Sequence, residues 1–235
     1  MDFSIFSGTA FWAALLSIIV ANILLSGDNA VVIALASRNL EPSQQKKAIF
    51  WGSAAAIILR VILTVTAVQL LTLPYLKIVG ALLLLYIGVQ LLADSGGEED
   101  MHGHSNIWGA IRTILVADLV MSLDNVIAVA AAAQKGPEET RLILLIVGLG
   151  LSIPLIIFGS SLLLKVMDRF PIIITLGAGL LGLLAGGMLV EDPAIRESMQ
   201  AAMEDAHMIF EGIGVAIVLL VGTYLKKKNV KKEAT

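Results

Sequence analysis

The sequence predicts an all-α fold, a polytopic membrane helix bundle of about seven transmembrane helices with a 3+3 inverted repeat plus one extra C-terminal helix. Three observations predict it. Of 235 residues, 57% are hydrophobic and 15% charged, with a mean hydropathy of +0.89; a soluble domain is nearer half apolar and a quarter charged. Apolar runs of bilayer length, about 20 residues each, follow one another with short connections. A polar signature, "SGDNAVVIA" from Ser26, returns as "SLDNVIAVA" from Ser122.

Taken in order, the spans fall at residues 10–37, 48–72, 76–93, 107–133, 142–164, 172–190 and 208–225. Proline in "LEPSQQ" and "LTLPYL" breaks the chain on either side of the second span. Pro154 lies inside the fifth span and predicts a kink there, tolerated where neighbours satisfy the freed carbonyl. Small residues in "GAGLLGLLAGG", from Gly177 to Gly187, predict a helix-packing surface in the sixth span, not a phosphate loop. Only "DSGGEEDMHGHSN" and "EDPAIRESMQAAMEDAH" form long polar loops.

A shift of 96 residues lays "VANILLSGDNAVVIALA" (20–36) on "VADLVMSLDNVIAVAAA" (116–132), with 7 of 17 positions identical. Ser26, Asp28 and Asn29 meet Ser122, Asp124 and Asn125; Gly52 meets Gly148 at the same shift, and Pro74 meets Pro171 one insertion later. A duplicated unit of three spans must enter the membrane in opposite senses, an arrangement that places a substrate site near the midplane in secondary transporters. The predicted organisation is therefore repeat 1 over 1–93, an acidic and histidine-bearing loop over 94–106 and repeat 2 over 107–190. A loop and accessory helix over 191–225 and a basic tail over 226–235 complete it.

The distribution of lysine and arginine predicts orientation. One side collects Arg38, Lys46, Lys47, Lys165, Arg169 and the tail lysines, with Arg112 close by; the other has Lys77, Lys135, Arg141 and Arg196. The C-terminus is then cytoplasmic and the N-terminus outside. The N-terminal sequence carries Asp2 and no basic residue, and its apolar run exceeds a signal h-region, so no cleaved signal peptide is expected. Absence of cysteine excludes disulfides and thiolate chemistry. A net charge of −3, with "KKKNVKK" as the one basic run, argues against nucleic acid.

The functional candidates are the polar residues buried in apolar spans. Helical spacing puts Asn22, Ser26 and Asn29 on one stripe of the first span and Asp118, Ser122 and Asn125 on its counterpart in the fourth. Asp28 and Asp124 lie about 100° from those stripes. A mid-span aspartate costs about 2.5–3.5 kcal/mol on insertion scales, so Asp28, Asp118 and Asp124 imply an offsetting partner. Arg60 adds a counter-charge in the second span. Gly27 would let the first helix loosen and free carbonyl ligands, whereas Leu123 predicts less unwinding in the second copy.

Carboxylates, amides, hydroxyls and carbonyls are hard donors that suit Mn²⁺, Ca²⁺ or Mg²⁺ better than Zn²⁺ or Cu. Three aspartates with Arg60 sum to −2, a match for one divalent cation. Adjacent carboxylates in a poor dielectric would hold a proton when the cation is absent, which predicts metal/proton exchange. Lone groups such as Gln69 and Gln90 read as interhelical hydrogen-bonding residues, and Glu211 as an interfacial or pathway charge. Glu98, Glu99, Asp100, His102 and His104 could gather a divalent ion at a cytoplasmic mouth, although a solvated loop is the simpler reading.

With the paired D-N motifs in view, the chain resembles the TerC family of bacterial integral membrane proteins, close to its YjbE-like branch, and is similar in fold to the LysE-type exporters. The resemblance covers nearly the whole chain. It implies Mn²⁺ efflux across the bacterial plasma membrane, with Asp28, Asn29, Asp124 and Asn125 as the metal-binding core. It implies no enzyme activity and no permanently bound cofactor, Mn²⁺ being the transported substrate. The soluble extensions of some relatives are absent from this sequence, so no fused regulatory domain is expected. The alternatives are a Ca²⁺/H⁺ exchanger using the same site, an intramembrane aspartyl hydrolase and a non-transporting assembly factor of a secretion complex. The hydrolase reading lacks its Tyr-Asp, Gly-x-Gly-Asp and Pro-Ala-Leu signatures. Beside the lipid bilayer and a divalent metal ion, a homo-oligomer and a secretion-machinery partner are compatible with the small-residue faces.

Overall fold

The computed structural model describes residues 8–70, 73–94, 106–203 and 205–233, with side chains left out at 67–70, 124, 200–201 and 231–233. Ten α-helices make up the described chain: α1 Thr9–Leu24, α2 Gly27–Ser37, α3 Pro42–Leu70, α4 Leu76–Ala93, α5 Ile107–Gln134, α6 Arg141–Gly150, α7 Ile153–Arg169, α8 Ile172–Val190, α9 Arg196–Ala202 and α10 Ala206–Glu233. Five spans are long and apolar enough to cross a bilayer, and seven when α1 with α2 and the two arms of α5 each count as one bent span. The protein is a polytopic helical membrane bundle.

Its surface is built for lipid. Trp12, Leu16, Leu24, Ile58, Ile62, Val65, Leu82, Phe158 and Leu162 stand exposed, while Asn22, Ser26, Asn29, Arg60, Asp118 and Ser122 are buried. Apolar side chains outside and polar ones within reverse the usual arrangement for water, as a hydrocarbon solvent requires.

Helix α3 packs against α5, while α1 packs on α6 and α2 on α7. Under the 96-residue shift these contacts map onto one another. Residues Leu63 and Val126 form a small apolar cluster; their shifted positions are Gly159 and Ala30, where a Cβ on Gly159 would meet the Ala30 Cβ at 3.8 Å. Helix α4 lies on α8, and α10 covers both. The expected packing role of the sixth span's glycines is met here: a Cβ on Gly182 would come within 2.5 Å of the Gly214 carbonyl, and one on Gly186 would strike the Phe210 carbonyl. Backbones this close leave no room for a side chain.

Several boundaries differ from the sequence expectation. The second span begins at Pro42, where proline is favoured in the first helical turn. The fifth is interrupted at Leu151 and Ser152, before Pro154, which occupies the second position of α7, where its missing N–H costs nothing. The loop after α8 contains the short helix α9, and α10 continues through the basic tail to Glu233. Residues 95–105, with the expected capture group of Glu98, Glu99, Asp100, His102 and His104, lie outside the described residues, as does the side chain of Gln69.

Charged groups at the helix ends fix the bundle's rims. Asp192, fully buried after α8, accepts from the backbone N–H groups of Tyr75 at 2.9 Å, Lys77 at 3.1 Å, Ile78 at 3.3 Å and Ala194 at 2.8 Å. It thereby caps α4, whose entry at Tyr75 takes a left-handed φ of 67°. Lys77 pairs with Glu191 at 2.9 Å, and His207 lies between Glu191 and Glu211, so Glu211 sits at an interfacial cluster. At the opposite rim Arg38 donates to the Leu91 carbonyl at 2.6 Å and closes the last turn of α4. Burial lowers its guanidinium to about 10, against the nearby Asp94 charge.

Candidate functional site

The first span breaks where its sequence turns polar. Ser26, Gly27, Asp28 and Asn29 are all poorer helix formers than the leucines before them. The α1 ladder ends with the Leu25 N–H bonded to the Ala21 carbonyl at 2.9 Å, and α2 restarts at Gly27 with a 50° change of direction. Unwinding thus centres on Leu25 and Ser26, not on Gly27, which is already the first residue of α2 and has nothing within 4 Å of a Cβ position. Asp28 falls in the first turn of α2, half-buried, where the positive end of a helix dipole favours an anion. Its Oδ1 accepts the Asn29 backbone N–H at 2.8 Å.

That break frees a carbonyl, and the other repeat takes it. Asn125 Nδ2 donates to the Leu25 carbonyl at 3.1 Å. The second copy stays helical through the matching positions, although α5 bends by 62° between its two arms, Ile107–Leu123 and Asn125–Gln134. Less unwinding was the expectation, and the helix is indeed continuous, yet its axis turns more sharply than the first. Consequently no equivalent carbonyl is released toward Asn29. Both polar atoms of the Asn29 amide are buried without a partner among the described residues.

The remaining midplane residues gather on Arg60, which is 1% exposed. Its Nε donates to Ser122 Oγ at 2.9 Å, and Nη1 donates to Asn22 Oδ1 at 2.7 Å and to Ser26 Oγ at 3.2 Å. Its Nη2 forms an ion pair with Asp118 Oδ1. Ser122 Oγ donates to the second Asp118 oxygen at 3.2 Å, and Ser26 Oγ to Asn22 Oδ1 at 3.3 Å. Four side chains from both repeats thus satisfy one guanidinium, as a charge in hydrocarbon must be satisfied. The expected cage is therefore divided. Asn22, Ser26, Asp118 and Ser122 surround Arg60, whereas Asp28, Asn29 and Asn125 flank the helix break.

The two groups stay neighbours, because Asp28 lies within electrostatic reach of both Arg60 and Asp118. The side chain of Asp124 is outside the described residues; its backbone is helical and marks the bend of α5. Among the described residues no three His, Asp or Glu side chains converge on one point. Any cation held here would depend on amide and carbonyl oxygens as well as carboxylates, a shell that suits hard ions.

Sequence reasoning named Arg60 as a counter-charge without its partner. A signal was present: under the 96-residue shift Arg60 meets Ile156, and Asn22 meets Asp118. One repeat carries the extra positive charge and the other the extra negative one. The Asp192 cap and the role of the Leu25 carbonyl left no comparable mark, since each depends on backbone groups.

The Integral membrane protein TerC family matches residues 7–230. The uncharacterized membrane protein YjbE of Bacillus subtilis is 40% identical over 214 residues, covering 91% of this chain and 95% of its own. YceF of the same bacterium is 25% identical, covering 95% and 86%. UPF0053 protein YegH of Escherichia coli is 24% identical over 77% of this chain but only 37% of its own length. No solved structure matches. With its paired D-N motifs, helical membrane bundle and family match over nearly all its length, the chain belongs to the TerC family of integral membrane proteins.

Proposed function

We propose that the protein exports a divalent metal ion, Mn²⁺ in the first place, across the bacterial plasma membrane, with the N-terminus outside and the C-terminus cytoplasmic. The observation that carries this reading is the break at Leu25 and Ser26. It places Asp28 at the head of a half-helix inside the membrane and turns a main-chain carbonyl toward the other repeat. Discontinuous helices that present carbonyls and acidic groups at mid-depth are how secondary transporters handle small ions.

In this reading Asp28, Asn29, Asp124 and Asn125 form the ion-binding core. Asp118 is neutralised by Arg60, which leaves Asp28 and Asp124 with a combined charge of −2 to match one divalent cation. Asn29, whose amide oxygen is unpaired among the described residues, supplies a further hard donor. Protons replace the metal on the return step, giving metal/proton exchange. Mn²⁺ is then substrate, with no resident cofactor and no enzymatic step.

Purified protein in liposomes with an imposed pH gradient tests the proposal against Mn²⁺, Ca²⁺ and Mg²⁺ in parallel. Mn²⁺ movement accompanied by counter-movement of protons is the expected result. Preference for Ca²⁺ would move the assignment to a Ca²⁺/H⁺ exchanger using the same core. Absence of flux for all three, from folded protein, would reject the carrier.

A further inference from the structure

At the rim that carries Arg38, the ends of three helices line an open cavity of about 410 Å³. Leu92 comes from the last turn of α4, Thr175 from the first turn of α8, and Thr223, Lys226, Lys227 and Val230 from the far end of α10. We propose that this cavity binds the phosphodiester headgroup of an anionic membrane phospholipid.

Depth is the first argument. Helix α10 has 28 residues, about 42 Å at 1.5 Å per residue, whereas the hydrocarbon layer is about 30 Å thick. The apolar part of α10 ends at Leu225, so Lys226 and Lys227 emerge at headgroup level. Exposed Tyr224 marks the same boundary, where amphipathic rings settle.

Charge is the second argument. Among the described residues no carboxylate pairs with Lys226 or Lys227, although Lys226 is half-buried. Among the residues whose side chains are described, connectivity brings Lys46, Lys47, Lys165, Arg169 and Lys228 to this rim, against Glu41, Asp94 and Asp168. Burial raises the Asp94 carboxyl above its ordinary value, and the Arg38 charge beside it opposes that rise. Two threonine hydroxyls add donors suited to phosphate oxygens, and the apolar wall of Leu92 and Val230 suits the start of an acyl chain. The cavity's volume is ordinary for a small-ligand site.

Native mass spectrometry of the purified chain, with phosphatidylglycerol, phosphatidylcholine or inorganic phosphate added, tests the site. Phosphatidylglycerol should remain bound through delipidation and phosphatidylcholine should not. The pair K226Q/K227Q should weaken phosphatidylglycerol about tenfold or more. The pair K46Q/K47Q, an equal charge loss at the same rim, should change it by no more than about twofold. Val230→Trp, which fills the cavity without altering charge, should also release the lipid. Equal loss in both lysine pairs would reduce the effect to general attraction and overturn the site. Undiminished binding by K226Q/K227Q would overturn it too, as would displacement of the lipid by inorganic phosphate at comparable concentration.

Discussion

The side-chain amide of Asn125 donates to the Leu25 carbonyl at 3.1 Å, joining positions 100 residues apart. Asn29, its counterpart in the duplicated sequence, has both amide atoms buried and unpaired among the described residues. One repeat is broken and the other bent, so the two asparagines do different work.

Asn125→Ala should therefore cost about 1–2 kcal/mol, because it leaves the Leu25 carbonyl without a donor. Asn29→Ala should cost less stability, yet reduce metal flux. Thermal unfolding in detergent, set beside transport in liposomes, separates the two. A larger stability loss at Asn29 than at Asn125 would contradict the asymmetry.

Arg60→Met should destabilise the bundle by about 3–5 kcal/mol, since it strands Asp118 as an unpaired buried charge. Adding Asp118→Leu should recover much of that loss, because the pair's benefit is offset by the desolvation of both partners. The measurement is a double-mutant cycle on the unfolding midpoint. Additive losses would mean that Arg60 acts chiefly through Asn22, Ser26 and Ser122.

Asp192 predicts a pH dependence at the opposite rim. Burial pushes its carboxyl up, but N–H donors from Ala194, Tyr75, Ile78 and Lys77 outweigh that and hold it below the ordinary 3.8. A depressed folded value contributes stability that is complete above the unfolded value and lost as pH falls through the folded one. Asp192→Asn should lower stability at pH 7 by about 1–3 kcal/mol, with the deficit shrinking as pH drops below about 4. A deficit that does not vary between pH 7 and pH 3 would refute the ionic cap.

Gly186 and Gly27 make a paired test of packing. Gly186→Val would drive a side chain into the Phe210 carbonyl of α10, so it should cost at least about 1–3 kcal/mol and loosen α10 from α8. Gly27→Ala meets nothing within 4 Å and should change stability by less than about 1 kcal/mol. Cysteine cross-linking between α8 and α10, in a chain with no native cysteine, reads the first; unfolding midpoints read both.

The spans, their order and the glycine packing face were legible in the sequence because hydropathy and small-residue spacing are local properties. Helix breaks were legible only in outline. Gly27 drew attention by its residue type, whereas the unwinding falls at Leu25 and Ser26, where α1 has run out of good helix formers. Pro154 likewise signalled an irregularity but sits just after it. For the candidate site, helical periodicity identified the polar stripes but not their partner. Arg60, on α3, recruits residues from α1, the α1–α2 break and α5, and such convergence is set by tertiary packing. Asp192 was missed because a carboxylate beside Glu191 at a loop reads as solvated until its N–H donors are seen.

The most direct test of the central claim is Mn²⁺ flux in liposomes by Asp28→Asn and Asp124→Asn, each checked for folded protein by its unfolding midpoint. The account predicts that both variants fold and that both lose transport by at least tenfold, about 1.4 kcal/mol or more of binding or barrier. Normal Mn²⁺ flux in both would contradict it.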